Sequence, residues 1–152
     1  MKNLKVNTEA KSLVYLFYEN EPTSIHYKIG FTSHFETDDA IKNWKRYTDS
    51  DHPVSIQRRI IQFQTGSPRQ IKPLAYFLYS SKKDAKTVEK TLQNHFKNKK
   101  SEYSKEWFKL SAEEIIDITI CLKDPTINKI AINHKAQDFW VDENKMNELK
   151  NK

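Results

Sequence analysis

The clearest pattern along the chain predicts a β-hairpin over residues 12–30. Two runs, Leu-Val-Tyr-Leu-Phe-Tyr and Ile-His-Tyr-Lys-Ile-Gly, alternate with the two-residue period of a β-strand. The segment between them, Glu-Asn-Glu-Pro-Thr-Ser, has the composition of a chain reversal. One face of the hairpin is expected to pack against the rest of the protein, while the other presents aromatic side chains such as Tyr15 and Phe17.

Glycine is rare in this chain, so its two positions are informative. Gly30 is expected to end the second strand, at a point where a side chain would obstruct either a positive φ angle or the close approach of a neighbour. Gly66 lies within Gln-Thr-Gly-Ser-Pro, a sequence expected to stop the helix that precedes it.

Three further segments repeat their apolar side chains with the period of an α-helix, over residues 54–63, 81–99 and 111–122. Ser80 or Ser81 can cap the second helix. The third begins with Ser-Ala-Glu-Glu, which has the form of a capping box. These signals predict helices with well-defined beginnings.

The remaining segments complete the predicted fold. Residues 71–80 alternate again and predict a third strand beside the hairpin. Residues 106–110 form a short strand or an extended segment. A short helix is expected from Asp38 to Trp44, with acidic residues in its first turn. The apolar side chains of residues 126–152 fit one or two small helices packed on the outside, or a docking element for another chain.

Together these elements predict a single domain of the α/β (α+β) class, with a small three-stranded antiparallel sheet flanked by helices. The predicted organisation has a loosely ordered N-terminus (1–11), a folded domain (12–122) with an insertion at about 31–53, and a C-terminal helical extension (123–152). A chain of 152 residues is long enough to bury a modest core of this kind.

The charge balance suits a polyanionic partner. Lys and Arg number 26 against 20 Asp and Glu, the formal net charge is +6, and the pI is about 9.2. Lysine and arginine neutralise phosphates and release counterions, which favours nucleic acid. A lysine-rich surface that serves only solubility has the same composition, so charge alone does not separate the two.

Cysteine usage and hydropathy narrow the class of protein further. Cys121 is the single cysteine, which excludes an intrachain disulfide and a multi-cysteine zinc site, and its apolar neighbours predict a buried thiol. No apolar run is long enough to span a bilayer, and the N-terminus lacks the apolar region of a signal peptide. We therefore expect a cytoplasmic (intracellular) protein without a membrane partner.

Four short blocks, taken in order, resemble one nuclease family. Val-Tyr-Leu at 14–16 and Tyr-Lys-Ile-Gly at 27–30 resemble the two motifs of the GIY-YIG nucleases. Residues 59–68 resemble the segment R-L-x-x-L-Q-T-G-N/S-P of the family's phage-type branch, T5orf172/Mug113-like. Val-Glu-Lys-Thr-Leu at 88–92, followed by Phe96, and then Glu-Trp-Phe-Lys-Leu, resemble the E-x-x-L…F helix and the EWF-x-L strand of that branch.

The resemblance implies a metal-dependent endonuclease that cleaves DNA. Tyr15 matches the tyrosine of the first motif and would activate or orient the attacking water. Arg59 matches the family's helix arginine and would neutralise the scissile phosphate with its planar fork. Glu89 matches the glutamate that holds a single Mg²⁺ or Mn²⁺, hard ions that bind through few carboxylates.

Further catalytic candidates lie on the second strand of the hairpin and on the helix that carries Glu89. In the phage-type branch Lys-Ile-Gly replaces Tyr-Ile-Gly, so Lys28 stands where the second family tyrosine stands, and Tyr27 is expected on the opposite face of the strand. His95 lies near a histidine of the branch's helix, and His26 is a secondary candidate. The late asparagine of the family has no matched counterpart in this chain.

Other basic side chains are candidates for contacts with the nucleic-acid backbone, which bind without specifying sequence. These candidates are Lys42, Lys45, Arg46, Arg58, Lys97, Lys99, Lys100 and Lys105. The sequence leaves both DNA and RNA open as partners. The resemblance implies a role in a phage, a mobile element or bacterial defence.

Two other functions also fit the sequence. A module of the same fold that binds nucleic acid without catalysis accounts for the missing asparagine and for the insertion. A partner-docking protein accounts for the apolar C-terminal segment, which would hold a second copy of the chain or another protein. Each catalytic candidate also has an ordinary structural role when taken alone, such as a helical ion pair of Glu89 with Lys86 or Lys90.

Overall fold

The computed structural model describes residues 11–21, 23–33, 52–67, 69–101 and 107–151. Its strands are β1 (Ser12–Glu19), β2 (His26–Ser33), β3 (Ile71–Tyr79), β4 (Trp107–Lys109) and β5 (Asp138–Val141). Its α-helices are α1 (Val54–Gln64), α2 (Lys82–His95), α3 (Ala112–Lys123) and α4 (Glu143–Lys150). Short 3₁₀ turns lie at Lys97–Lys99 and Pro125–Ile127. The helix expected from Asp38 to Trp44, residues 1–10 and residues 34–51 of the expected insertion lie outside the described residues.

The strands form one antiparallel sheet in the order β4-β2-β1-β3-β5. The predicted hairpin is confirmed: β1 pairs with β2, with Tyr15 opposite Gly30 and Phe17 opposite Lys28. On its other side β1 pairs with β3, where Tyr76 lies opposite Tyr15. Tyr15 therefore has Gly30 on one side and Tyr76 on the other.

The prediction of three strands was wrong, because two short segments join the edges of the sheet. β4 pairs with His26–Lys28 of β2, and β5 pairs with Ala75–Leu78 of β3. Strands of three and four residues are too short for alternation to be visible in the sequence, and each is stabilised by pairing with a distant part of the chain. The C-terminal segment therefore contributes a strand and a helix, where a purely helical extension was expected.

Helices cover both faces of the sheet. On one face α2, α3 and α4 share a buried core with β1 side chains such as Val14 and Leu16. On the other face α1 packs against Tyr15 and Phe17 through the fully buried Ile56. The expectation that one face of the hairpin presents its aromatic side chains was wrong, because α1 covers that face.

Most apolar residues near the C-terminus belong to the first of these two cores, whereas Trp140 packs against the second and Ile127 is exposed. The buried set comprises Ile130, Ile132, Val141, Met146 and Leu149. Five of the side chains that suggested a docking element are therefore covered by the chain itself, while Phe139 and Trp140 are half-buried. Packing within the chain thus accounts for most of the apolar character that motivated the docking hypothesis, which stays a prediction.

Local capping fixes the beginnings of two helices. Ser81 accepts a hydrogen bond from the amide of Asp84 at 3.1 Å, and Ser111 and Glu114 form the predicted capping box of α3. Cys121 in α3 is buried, as predicted. Among the described residues, none of the helices has the length and apolar character needed to cross a membrane.

Candidate active site

A cleft opens where β2 runs past the end of β4. The pairing of these two strands ends at Lys28. Beyond that point α2 approaches the edge of β2, and Gln93 Nε2 donates a hydrogen bond to the carbonyl of Ile29 at 3.0 Å. The cleft here has a volume of about 430 Å³ and lies between α1, α2 and the hairpin.

The cleft brings together three predicted catalytic residues from three elements. Tyr15 of β1, Arg59 of α1 and Glu89 of α2 all line it, and so does Lys100, which was predicted to contact nucleic acid. The other lining residues are Gly30, Phe31, Gln62, Phe63 and Gln93. Two basic side chains and one carboxylate thus face a common space, a combination suited to a phosphate accompanied by a cation.

Tyr15 is held by aromatic neighbours and by a glycine. Its ring stacks on Phe17 with centroids 4.2 Å apart and lies 6.4 Å from the ring of Phe63. On the neighbouring strand, a Cβ added to Gly30 would overlap Oη and Cζ of Tyr15 and would lie 2.8 Å from its Cε1. The close-approach interpretation of Gly30 is confirmed, but β2 continues to Ser33 and does not end at the glycine.

Arg59 lies beside the stripe of α1 that faces the sheet. Ile56, Ile60 and Phe63 form that stripe, and Arg59 is half-buried next to it. Arg59 Nη1 donates a hydrogen bond to Oε1 of Gln62 at 3.2 Å. Because Gln62 also lines the cleft, this bond helps to hold the guanidinium group at the cleft.

Glu89 and Gln93 lie one turn apart on α2 and both line the cleft. A different side of this helix, carrying Val88 and Leu92, is buried against the sheet. The hydrogen bond from Gln93 to β2 fixes the turn that carries Glu89. Glu89 is half-buried, and the turn of α2 that carries it is held by core packing on one side and by the strand β2 on the other.

The donor set in the cleft matches a metal ion with few protein ligands. Within the described ranges, no group of three or more His, Cys, Asp or Glu side chains could hold a metal. Mg²⁺ is commonly bound through one or two carboxylates, water and substrate phosphates. Glu89 is a carboxylate of this kind, so it could hold such an ion, whereas a tetrahedral zinc cage does not fit these residues.

Lys28 lies on the same face of the sheet as Tyr15 but is buried. It is 1% exposed, and its Nζ lies 4.0 Å from the ring centroid of Phe63 and 6.0 Å from that of Trp107. A desolvated ammonium group over an aromatic face is a favourable contact. Lys28 therefore packs against the ring of Phe63, and it is not among the residues that line the cleft.

Tyr27 and His95 are not brought into the cleft. Tyr27 points to the face of the sheet opposite Lys28, as expected for successive residues of a strand, and packs in the core with Val14. Burial raises the pKa of its phenol. His95 packs edge-on against Phe96 and lines a separate groove with Asn94. The cleft is assembled without either of these catalytic candidates.

Most of the other basic candidates lie elsewhere. Arg58, Lys97 and Lys99 are exposed outside the cleft, and Lys99 lies 3.9 Å from the carboxylate of Glu114. His26 is paired with a carboxylate of β1 at 3.4 Å. Four candidates lie outside the described residues: Lys42, Lys45, Arg46 and Lys105.

Gln62 and Gln93 are cleft residues that the sequence analysis did not single out. Gln62 follows Arg59 by three positions, and Gln93 follows Glu89 by four. On a helix these spacings place two side chains on the same face. A search for polar residues one turn away from each catalytic candidate would therefore have found both.

Comparison with known families decides the family of this chain. The profile of the T5orf172 domain matches residues 12–123, which is most of the sequence. The chain belongs to the T5orf172 domain family. T5orf172 domains are found in phage and nuclease-like proteins of the GIY-YIG-associated superfamily. Comparison with curated proteins and with solved structures found no match.

The matched span of this T5orf172 domain contains the whole candidate site. It begins with β1, which carries Tyr15, and ends with the last residue of α3. The strand β5 and the helix α4 follow the matched span, although β5 extends the same sheet.

Proposed function

We propose that this T5orf172 domain is a metal-dependent endonuclease that hydrolyses phosphodiester bonds in DNA by GIY-YIG-type chemistry. The observation that carries the proposal is the convergence of Tyr15, Arg59 and Glu89 on one cleft. A general base, a phosphate-binding cation and a metal-binding carboxylate are the groups that phosphodiester hydrolysis needs. A shared cleft would let these three side chains act together on one phosphodiester bond.

Arg59 would bind the non-bridging oxygens of the scissile phosphate. Its guanidinium group is permanently charged and planar, and it can donate two parallel hydrogen bonds to a phosphate. The bond to Gln62 restrains the side chain before substrate arrives. Such a preorganised donor stabilises the negative charge that develops as the nucleophile attacks.

Tyr15 would orient the attacking water and accept its proton. A base must lie within hydrogen-bond reach of the group that it deprotonates. The stack on Phe17 and the close approach to Gly30 leave this ring little freedom, so its hydroxyl group has a defined position. A hydroxyl group that is already held in position loses less conformational entropy when the reactive geometry forms.

Glu89 would hold a Mg²⁺ or Mn²⁺ ion beside the phosphate. Such an ion supplies Lewis-acid stabilisation of the phosphoryl oxygens when it is bound. The protein would contribute one carboxylate beside the phosphate, and Gln93 fixes the turn of α2 that carries this carboxylate. Water and substrate oxygens would complete the coordination.

Lys100 would contact the DNA backbone next to the cleavage point. It lines the cleft and also a second depression, which it shares with Asn98, Lys99 and Lys109. The two depressions therefore meet at one lysine, and the second is lined by three lysines and one carboxylate, Glu114. Contacts of this kind position a nucleic-acid strand without reading its sequence. We propose a phage, a mobile element or a defence system as the natural setting of such an enzyme.

Supercoiled plasmid, incubated with Mg²⁺, with Mn²⁺ or with EDTA, tests the proposal. Wild-type protein is expected to nick or linearise the plasmid with either ion and to leave it intact with EDTA. Arg59→Ala and Glu89→Gln are each expected to reduce cleavage by roughly 10²-fold or more. Arg58→Ala is the matched control, because Arg58 is the adjacent arginine and lies outside the cleft.

The control decides between local chemistry and net charge. Equal losses in Arg58→Ala and Arg59→Ala would contradict the proposed site. An inactive wild-type protein that retains DNA in a gel shift, with strong salt dependence, would identify a binding module without catalysis. A single-stranded RNA substrate, assayed in parallel, distinguishes the two kinds of nucleic acid.

A further inference from the structure

The strand β5 lies outside the matched T5orf172 span but reaches the face of the sheet that contains Tyr15. The match ends at residue 123, and β5 begins at Asp138. Trp140 of this strand packs on the α1 side of the sheet. The preceding residue, Phe139, packs on the opposite side. A segment beyond the matched domain is thus in contact with the layer that carries the site.

Trp140 belongs to a triangle of three ring contacts. Its ring stacks on Tyr76, its partner in the sheet, with centroids 5.1 Å apart and planes 21° apart. His52 meets the ring of Trp140 edge-on at 4.8 Å. His52 Nδ1 also lies 3.0 Å from Oη of Tyr76, within hydrogen-bond distance. His52 and Tyr76 are buried, and Trp140 is half-buried.

The triangle is connected directly to the helix that carries the cleft arginine. His52 lies two residues before α1, and Gln57 Nε2 donates a hydrogen bond to the carbonyl of His52. At the other end of α1, Gln64 donates to the carbonyl of Arg69 at 2.7 Å and accepts from the amide of Ile71 at 2.8 Å. The helix is therefore attached to β3 at both of its ends.

The beginning of α1 has this attachment but no side-chain cap. Pro53 occupies the N-cap position and contributes no side-chain hydrogen bond. A shift of the helix start would move Arg59 relative to Tyr15, and a displacement of about 1 Å at a reacting group can cost roughly 10²-fold in rate. Packing at His52 is thus in a position to control the geometry of the cleft.

We infer that Trp140 is a positioning residue for Arg59. Trp140 acts through His52: its ring holds His52 in position just before α1. The C-terminal strand is therefore part of the scaffold of the reaction site. This inference rests on the proposed function. It adds that the activity of the matched domain depends on β5, a strand outside the matched residues.

Trp140→Leu and Phe139→Leu form a matched pair of variants. Both residues are half-buried aromatics on one strand, and they face opposite sides of the sheet. In plasmid cleavage, Trp140→Leu is expected to lower kcat about tenfold or more with little change in KM, while Phe139→Leu stays within about twofold. Trp140→Phe keeps an aromatic stack on Tyr76 and is expected to restore most of kcat.

Two hydroxyl deletions on β3 give a milder test that does not depend on the folding of Trp140→Leu. Tyr76→Phe removes the hydroxyl group next to His52 but keeps the ring stack. Tyr79→Phe removes a buried hydroxyl group for which the described part of the chain offers no hydrogen-bond partner. We expect kcat to fall in Tyr76→Phe and to stay unchanged in Tyr79→Phe.

Double variants show which residue transmits the effect. Because Tyr76 also lies opposite Tyr15, Tyr76→Phe and Trp140→Leu are each combined with Arg59→Ala and with Tyr15→Phe. A loss transmitted through Arg59 disappears in the Arg59→Ala background and persists in the Tyr15→Phe background. Losses that add fully to that of Arg59→Ala would overturn the inference.

Hydrogen exchange provides a readout that does not need catalysis. In Trp140→Leu the amides of residues 54–64 are expected to lose protection, while those of residues 82–95 keep it; in Phe139→Leu residues 54–64 remain protected. If the wild-type protein cleaves nothing, the proposed function fails by itself and the exchange result decides the inference. Unchanged protection of residues 54–64 in Trp140→Leu, or equal kcat in the two leucine variants, would overturn it.

Discussion

Gly30→Ala tests the geometry of the cleft with a single methyl group. The added Cβ would overlap Oη and Cζ of Tyr15 and would approach its Cε1 to 2.8 Å. Non-bonded carbon atoms rest about 3.5–4.0 Å apart, so the ring must move by roughly 0.7 Å or more at this atom and further at its hydroxyl end. The stack on Phe17 opposes that movement.

The magnitude of the effect follows from this overlap. Overpacking of a well-packed site costs about 1–3 kcal/mol in the free energy of unfolding. In a protein of this size each kcal/mol lowers Tm by about 2–4 °C, so Gly30→Ala is expected to lower Tm by about 2–12 °C. Because displacement of a catalytic group by about 1 Å can cost roughly 10²-fold, kcat/KM for plasmid cleavage is expected to fall by about that factor.

Gly66→Ala is the matched control, because a Cβ at Gly66 meets nothing within 4 Å. Among the described residues no glycine has a positive φ, so neither substitution adds backbone strain. Gly66→Ala is expected to change stability by about 0.5 kcal/mol or less and to leave cleavage unchanged. Urea unfolding followed by circular dichroism measures stability. Equal stability and activity of the two alanine variants would refute the placement of Tyr15 over Gly30.

Tyr79→Phe is expected to raise the free energy of unfolding by about 1 kcal/mol, since it removes a buried hydroxyl group without a hydrogen-bond partner in the described residues. Burial raises the pKa of Tyr79, so the folded chain keeps this proton above about pH 10 while the unfolded chain releases it. Wild-type stability should therefore fall as the pH rises past that value, and urea unfolding at high pH should show a smaller fall in Tyr79→Phe. Ser111→Ala breaks the capping box with Glu114 and should lower stability by about 1 kcal/mol with cleavage unchanged; an unaltered Tm would contradict this role of the cap. Lys100→Ala should reduce the slope of log binding constant against log salt concentration by about 1, and Lys97→Ala by less; equal slopes in gel shifts would argue against a substrate contact at the cleft lysine.

Features with a local signal could be predicted from the sequence. The hairpin, the third strand and the three longer helices follow from apolar periodicity, and Ser81 and Ser111 mark helix starts because a cap involves residues within one turn. The candidates Tyr15, Arg59 and Glu89 came from the order of motifs that resemble a family. Their residue types alone are too common on strands and helices to indicate a site.

The tertiary structure decided which side chains meet. It excluded Tyr27 and His95 from the cleft, included Gln62 and Gln93, and buried Lys28 beneath an aromatic ring. It also added β4 and β5 to the sheet, through pairing with strands far away in the chain. Periodicity and caps are properties of neighbouring residues, and the sequence determines them by itself. The partner of a short strand, and the burial of a lysine, depend on the surfaces that distant segments present, so they are determined only when the whole chain packs.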